Sequence, residues 1–431
     1  MLRTPQAKHH ASATKTAAVQ NSTWRMALVS RPPLTASLQG TCPSALATLA
    51  MDVPVASLAG IAGKSGPGQA STEVRLRLAS CNNASSSGEW RAHAHVRGES
   101  SRRDYAKRSF SLKMEREEAA VLTAAVGWSP PKGSKSVILY ASYDDTTFLR
   151  DALTFNRSAA LGLPAPRTGP LELVSGGMRQ GLYYVTERPD VVAAGDDARA
   201  LVASFDPWDE GPDDVFVALP STLGSRLRMV TPAQPSPGQV ARFSGAMTAL
   251  SNATSGTCDW AAFQSVADVP SWVNFVLLTE WTNDPDSYTK STYITLRDKL
   301  VAGPLWDKNL AFGGSTLSTT SGWRALAKCT SSCDILDNAA TVPSMLLAHC
   351  PPFMGAMRAA WRAARRGNPA AVLSDEAVAA VLRDKAHRLE ASGAVARDQA
   401  VWPRGRFDRD VENMITWLQR RSAWLDTQLL V

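Results

Sequence analysis

The stretch WTNDPDSYTKSTYITLRDKLVAGPLWDKNLAFG, residues 281 to 313, holds two acid-bearing turns separated by a strand pair. Asp284-Pro285-Asp286-Ser287-Tyr288 reads as a turn from its Asp and Pro content. Ser291 to Leu296 is β-branched and aromatic and reads as a strand. Arg297-Asp298-Lys299 is a charged hairpin tip, and Leu300 to Trp306 is the returning strand. That strand delivers Asp307 into a second loop, Asp307 to Gly313. One carboxylate just before a hairpin and one just after it arrive at the same end. Metal-assisted phosphoryl transfer needs such a pair: one acid orients the attacking hydroxyl and the other holds a cation on the nucleotide phosphates. An Asp in a turn is also, and more commonly, only a turn former.

Working outward, a chain of 431 residues has material for two or three compact units. Its 44% hydrophobic and 20% charged content is that of a globular protein. No apolar run is long enough to span a membrane. The formal charge of +7 suits an anionic ligand such as a nucleotide, or an acidic partner. The basic residues are dispersed, without the basic-aromatic array of a nucleic-acid binder. Of the six cysteines, Cys329 and Cys333 form a short-spaced pair without the second pair that zinc would require. The even cysteine count and the sequons at Asn21, Asn83, Asn156 and Asn252 favour a secretory route.

Residues 1–45 carry Arg3, Lys8, Lys15, Arg25 and Arg31 and no acid, which resembles a transit peptide or a disordered leader. Residues 46–190 read as a strand-rich first lobe. Strands are expected at Val53–Leu58, Thr72–Leu78, Ala92–Arg97, Lys107–Lys113, Leu171–Val174 and Gly181–Glu187, with one helix over Thr146–Leu163. Gly98-Glu99-Ser100-Ser101 offers backbone N–H groups and hydroxyls of the kind that cradle phosphate. Lys107, Ser109, Ser111 and Lys113 are expected on one strand face, where a lysine could point at that loop. His93 and His95 share a face, which reads as a plain strand surface. Residues 191–431 read as a mainly helical second lobe. Helices are expected over 240–250, 261–281, 343–349, 353–366, 374–392 and 408–430, with Trp417 in a packing role.

Several blocks in order resemble the CotH family, atypical protein kinases of the spore-coat-protein-H type. They are Arg97-Gly-Glu-Ser-Ser101, Lys107-Arg-Ser-Phe-Ser-Leu-Lys113, Asp145-Thr-Thr-Phe-Leu-Arg150, Leu161-Gly-Leu163, Gly181 to Glu187, Asp286 to Tyr293, and Trp306-Asp-Lys-Asn-Leu-Ala-Phe-Gly313. The resemblance covers roughly residues 50 to 430. It implies an α+β, two-lobed, kinase-like fold and transfer of phosphate from ATP, with Mg²⁺ or Mn²⁺, to Ser/Thr hydroxyls of a protein substrate.

By matching position, Asp286 is implied to orient or deprotonate the acceptor. Asp307 is implied as the metal-binding acid, with Asn309 and Ser291 at the remaining metal positions. Lys107 and Lys113 are alternative phosphate lysines. Arg97, Gly98, Ser100 and Ser101 would line the phosphate side, and Glu187 would border the adenine. Ser291 stands where protein kinases carry a metal-binding Asn, and no partner glutamate is evident in the 146–163 helix. Two other readings stay open. One is a kinase-like interaction, coat or surface protein with little or no activity. The other is phosphate or nucleotide transfer to a non-protein acceptor.

Overall fold

A computed structural model describes residues 46–58, 71–79, 88–98, 100–130, 134–205, 214–217, 219, 227–288, 290–327, 341–367 and 371–431. The basic leader, Glu99, the Ser100 side chain, Asn21, Asn83 and the Cys329/Cys333 pair lie outside the described residues. Residues 41–431 form one compact unit.

Seven strands of the first half close into a barrel: β1 (Thr48–Met51), β2 (Thr72–Ala79), β3 (Gly88–Arg97), β4 (Ser109–Lys113), β5 (Ser136–Tyr140), β6 (Thr168–Ser175) and β7 (Met178–Thr186). Their order is β1-β2-β3-β4-β5-β7-β6, and a parallel β1–β6 pairing shuts the ring. Strand alternation sends Leu76, Trp90, Ala92, Ala94, Val96, Phe110, Leu112, Leu139, Leu173, Tyr183 and Val185 to one buried cluster. His93, His95 and Arg97 take the opposite face of β3. Closure removes the edges that an open strand-rich lobe would leave.

The second half adds a five-stranded sheet, ordered β12-β11-β8-β10-β9. It comprises β8 (Leu201–Phe205), β9 (Phe216–Val217), β10 (Leu227–Thr231), β11 (Thr292–Leu296) and β12 (Leu300–Leu305). The expectation of a helical second lobe therefore holds only around this sheet. Its core is shared with α5 (Pro237–Thr254), α7 (Val269–Thr282), α9 (Pro351–Arg366), α10 (Asp375–Ala391) and α12 (Phe407–Leu429). No described helix is long and apolar enough to cross a membrane.

Several sequence expectations need correction. Val53–Leu58 is not a strand: the strand lies before it, and a 3₁₀ turn at Val55–Ser57 follows Pro54. Ser100–Asp104 forms the short helix α1, where a loop was expected. The helix α2 (Arg116–Ala125), started by a Glu115–Glu118 capping box, was not foreseen. The helix expected over 146–163 is α3 (Arg150–Ala160). The one expected over 261–281 is two, α6 (Trp260–Val266) and α7. Asp268 restarts the chain there, accepting the Ser271 N–H at 2.9 Å, and Pro270 follows at a position needing no donor. Two remaining short helices are α4 (Pro189–Ala194) and α8 (Val342–His349), and an unforeseen α11 (Ala394–Val401) packs on β7.

Candidate active site

The loop of Asp286 hangs from the end of α7. Asn283 closes that helix in the left-handed region, at φ 45°. Asp284, fully buried, turns the chain by accepting the Asp286 N–H at 2.9 Å. Tyr288, at φ 71°, is pinned by donating its hydroxyl to Glu280 Oε1 at 3.0 Å. Glu280 also takes the N–H groups of Arg324 and Ala325 and pairs with the buried Arg421 at 3.3 Å. This buried knot fixes both ends of the turn. The Asp286 side chain stays 37% exposed, touched by Lys290 Nζ at 3.3 Å, so an incoming group can reach it.

The loop of Asp307 leaves β12 with Asp307 at φ 56°. Asp307 Oδ1 accepts the Tyr140 hydroxyl of β5 at 3.0 Å. The next N–H, of Lys308, donates to Asp151 Oδ1 of α3 at 2.7 Å. The Asn309 amide donates to Asp144 Oδ2, which also accepts the Tyr105 hydroxyl at 3.0 Å. Phe312 N–H returns to Thr282 O at 3.0 Å, and its ring packs edge-on against Trp281 and Trp417. Arg150 Nε donates to Ala311 O at 2.8 Å, while Asp145 accepts from Arg150. The Asp145–Arg150 motif thus ties the start of α3 to the loop. Among the described residues, seven non-glycine residues have positive φ. Five of them (Asn283, Tyr288, Ser291, Asp307 and Phe312) lie in these two loops or at their borders. Such concentration of backbone strain marks functional segments.

The electrostatics are those of crowded, half-desolvated carboxylates. Burial raises the Asp307 carboxyl above the usual range, and the charges of Asp144 and Asp286 raise it further. Burial likewise raises Asp144, and it raises Asp151 strongly, with Asp307 adding to the latter. Asp284 is pushed up to about 6, chiefly by burial. The cation acting on Asp307 is Arg97, whose guanidinium lies 5.5 Å from the Trp306 ring centroid. Excess negative charge of this kind would be relieved by a bound cation. Among the described residues no three His, Cys, Asp or Glu groups converge as a closed metal site. A nucleotide-borne Mg²⁺ does not require one, since it takes one or two carboxylates beside phosphate oxygens and water. The donor set of Asp307 and Asn309 fits that requirement.

Beside Asp307 the barrel's outer face meets α3 and β12 in a cleft. Tyr140, Asp151, Phe155, Thr168, Thr186 and Trp306 are among its lining residues. Phe155 and Trp306 stack there, centroids 5.8 Å apart, and the Thr168 and Thr186 hydroxyls are 2.7 Å apart.

The residues singled out from sequence divide into two groups. Asp286 and Arg97 lie close enough to act on the charge of Asp307, and Asn309 follows in the Asp307 loop, bonded to Asp144; Ser291 stands at the far end of the other loop in a left-handed conformation, φ 48°. Gly98, at φ 101°, lets the chain turn tightly onto Ser101, whose Oγ would lie 2.1 Å from any added Cβ. The others lie elsewhere. Lys107 precedes β4 rather than sharing its outer face, is 1% exposed, and donates to Leu182 O and Asp398 Oδ1. Lys113 is exposed at the end of β4, registered against His93 and Ser136. The Glu187 carboxylate is occupied by Arg167, at 2.8 Å and 3.0 Å. His93 and His95 lie on β3 without a metal-binding third group among the described residues, and burial lowers His95. Sequence reasoning passed over Tyr140, Asp144, Asp151 and Lys308. Only the adjacency of Asp144 and Asp151 to the Asp145–Arg150 motif, and of Lys308 to Asp307, could have signalled them.

A family profile described as CotH kinase protein matches residues 94–425. No curated protein matches the chain.

Proposed function

The chain belongs to the CotH kinase family, and from that premise we propose that it transfers the γ-phosphate of ATP to a Ser/Thr hydroxyl of a protein substrate, assisted by Mg²⁺ or Mn²⁺. The observation that carries this reading is the pairing of two partly exposed carboxylates on adjoining loops. Asp286 keeps 37% of its side chain open to an incoming hydroxyl, and Asp307, bonded by Tyr140, stands among the like charges of Asp144 and Asp286.

In this reading Asp286 orients the acceptor and takes its proton as the hydroxyl oxygen bonds to the γ-phosphorus and ADP leaves. Asp307 and Asn309 would hold the cation, which when bound supplies neutralisation of the phosphate charge. Arg97 supplies fixed positive charge at the same edge. Neither candidate lysine stands beside the acids: Lys107 is buried against Asp398, and Lys113 pairs in strand register with His93 at the end of β4 away from Arg97. Positioning and electrostatics would then supply most of the rate.

A scaffold with little activity is the second reading, favoured by Lys107, which is buried away from the acids, and by Ser291. The deciding experiment incubates the purified protein with γ-labelled ATP, Mg²⁺ or Mn²⁺ and a generic protein acceptor. Asp286→Asn and Asp307→Asn run alongside. Label on protein that both substitutions abolish supports the kinase. Absence of label together with no cation-dependent ATP shift in Tm sinks it. ATP binding without protein label redirects the reading to a non-protein acceptor.

A further inference from the structure

Asp284 and Lys308 take no part in the chemistry outlined above, yet they sit beside its two acids. Asp284 is 0% exposed and Lys308 2% exposed. Lys308 Nζ lies 3.9 Å from Asp284 Oδ1, the same oxygen that accepts the Asp286 N–H. Asp284 Oδ2 has no hydrogen-bond partner among the described residues. Lys308 follows Asp307 directly, and its own N–H is held by Asp151 at 2.7 Å.

We infer that Asp284 and Lys308 are positioning residues, a buried ion pair that holds the Asp286 loop in register with the Asp307 loop. A turn alone does not explain a charge at 284, because Asn would make the same bond to the Asp286 N–H without a desolvated carboxylate. Stability alone does not explain it either. A buried ion pair is commonly no better than well-packed apolar side chains, and its best attested use is fixing register. Here the ammonium reaches from one acid-bearing loop to the other. The pair is a direct side-chain link between the two turns, and its chain separation puts the hairpin β11–β12 between them.

This inference rests on the phosphotransfer reading, and two readouts keep the two separable. The full-length protein is compared with Lys308→Met and with Asp284→Asn/Lys308→Met, in which no buried charge is left alone. In the transfer assay both variants are expected to lose roughly tenfold or more in kcat. KM for ATP stays within about twofold, because both side chains are buried and neither is offered to a bound nucleotide. A double variant with wild-type kcat would overturn the inference. Hydrogen exchange reads the same coupling without activity: amides of 284–291 and 307–313 are expected to exchange faster in both variants, while α12 stays protected. Unchanged exchange in the two loops, or faster exchange throughout the chain, would overturn it. If the wild-type protein transfers no phosphate, the kinase reading fails while the exchange experiment still decides this one.

Discussion

Asp398 Oδ1 lies 2.5 Å from Lys107 Nζ, although 291 residues separate them. The same carboxyl accepts the Leu182 N–H at 2.8 Å, and its other oxygen takes Arg404 at 3.1 Å. The contact pins α11 to β7, fastening the C-terminal helices onto the barrel. A lysine held this way is committed to joining the halves of the molecule.

Breaking that contact from one side should be costly. Asp398→Asn leaves an ammonium buried without its counter-charge, and a loss of about 3–5 kcal/mol is expected. Denaturant unfolding measures it; an unchanged midpoint would mean that Lys107 escapes to water.

The same lysine sets a pH dependence. Burial depresses Lys107 from 10.5 to about 8, more than Asp398 raises it. Between those values the unfolded chain holds the proton and the folded chain has released it, so this group makes stability rise with pH from about 8 to 10.5. Below about 8 its contribution is flat. Buried tyrosines titrate near the top of the window, so the observable is the Tm difference between wild type and Lys107→Met. That difference should move in favour of the wild type across the window.

Asp307 is expected to trade stability for function. Its charge is disfavoured by burial, Asp144 and Asp286. Asp307→Asn keeps an acceptor for Tyr140 and removes the repulsion. The substitution should raise the stability of the cation-free protein by on the order of 1 kcal/mol while abolishing transfer. Calorimetry without Mg²⁺ checks the first half, and the labelled-ATP assay checks the second.

Arg421 supports the Asp286 turn from a distance. Arg421→Met leaves Glu280 buried without its cation and should cost about 3–5 kcal/mol. The loop hung on Glu280 should loosen first, visible as earlier proteolysis near Tyr288 than elsewhere.

Cys258 and Cys350, 92 residues apart, form a disulfide that ties the α5–α6 connection to the junction of α8 and α9. Replacing both by serine should lower stability by about 2–5 kcal/mol, as expected for closing a loop of this length. A reductant should produce a loss of that size in the wild type and a smaller one in the variant.

Much of the candidate site was legible because its signals are local. The Asp-Pro-Asp turn, the β-branched hairpin and the loop from Asp307 to Gly313 are each encoded within a few residues. The order of the motif blocks carried the family. The barrel was less legible: its strands alternate visibly, but nothing local says that β1 returns to β6 in parallel. The break between α6 and α7 was hidden in an apolar run, where Asp268 and Pro270 outweighed periodicity.

The sequence by itself determined which segments could be strands, helices and acid-bearing turns, because φ/ψ preference and hydrophobic period act over neighbouring residues. Only the tertiary structure decided which side chains meet. It joined Tyr140 to Asp307, Asp144 to Asn309 and Lys308 to Asp284, and it drew Lys107 away to Asp398. Those pairings depend on chain crossings over long separations and on which charges the fold desolvates, and neither is written in the residues on either side of a lysine or an aspartate.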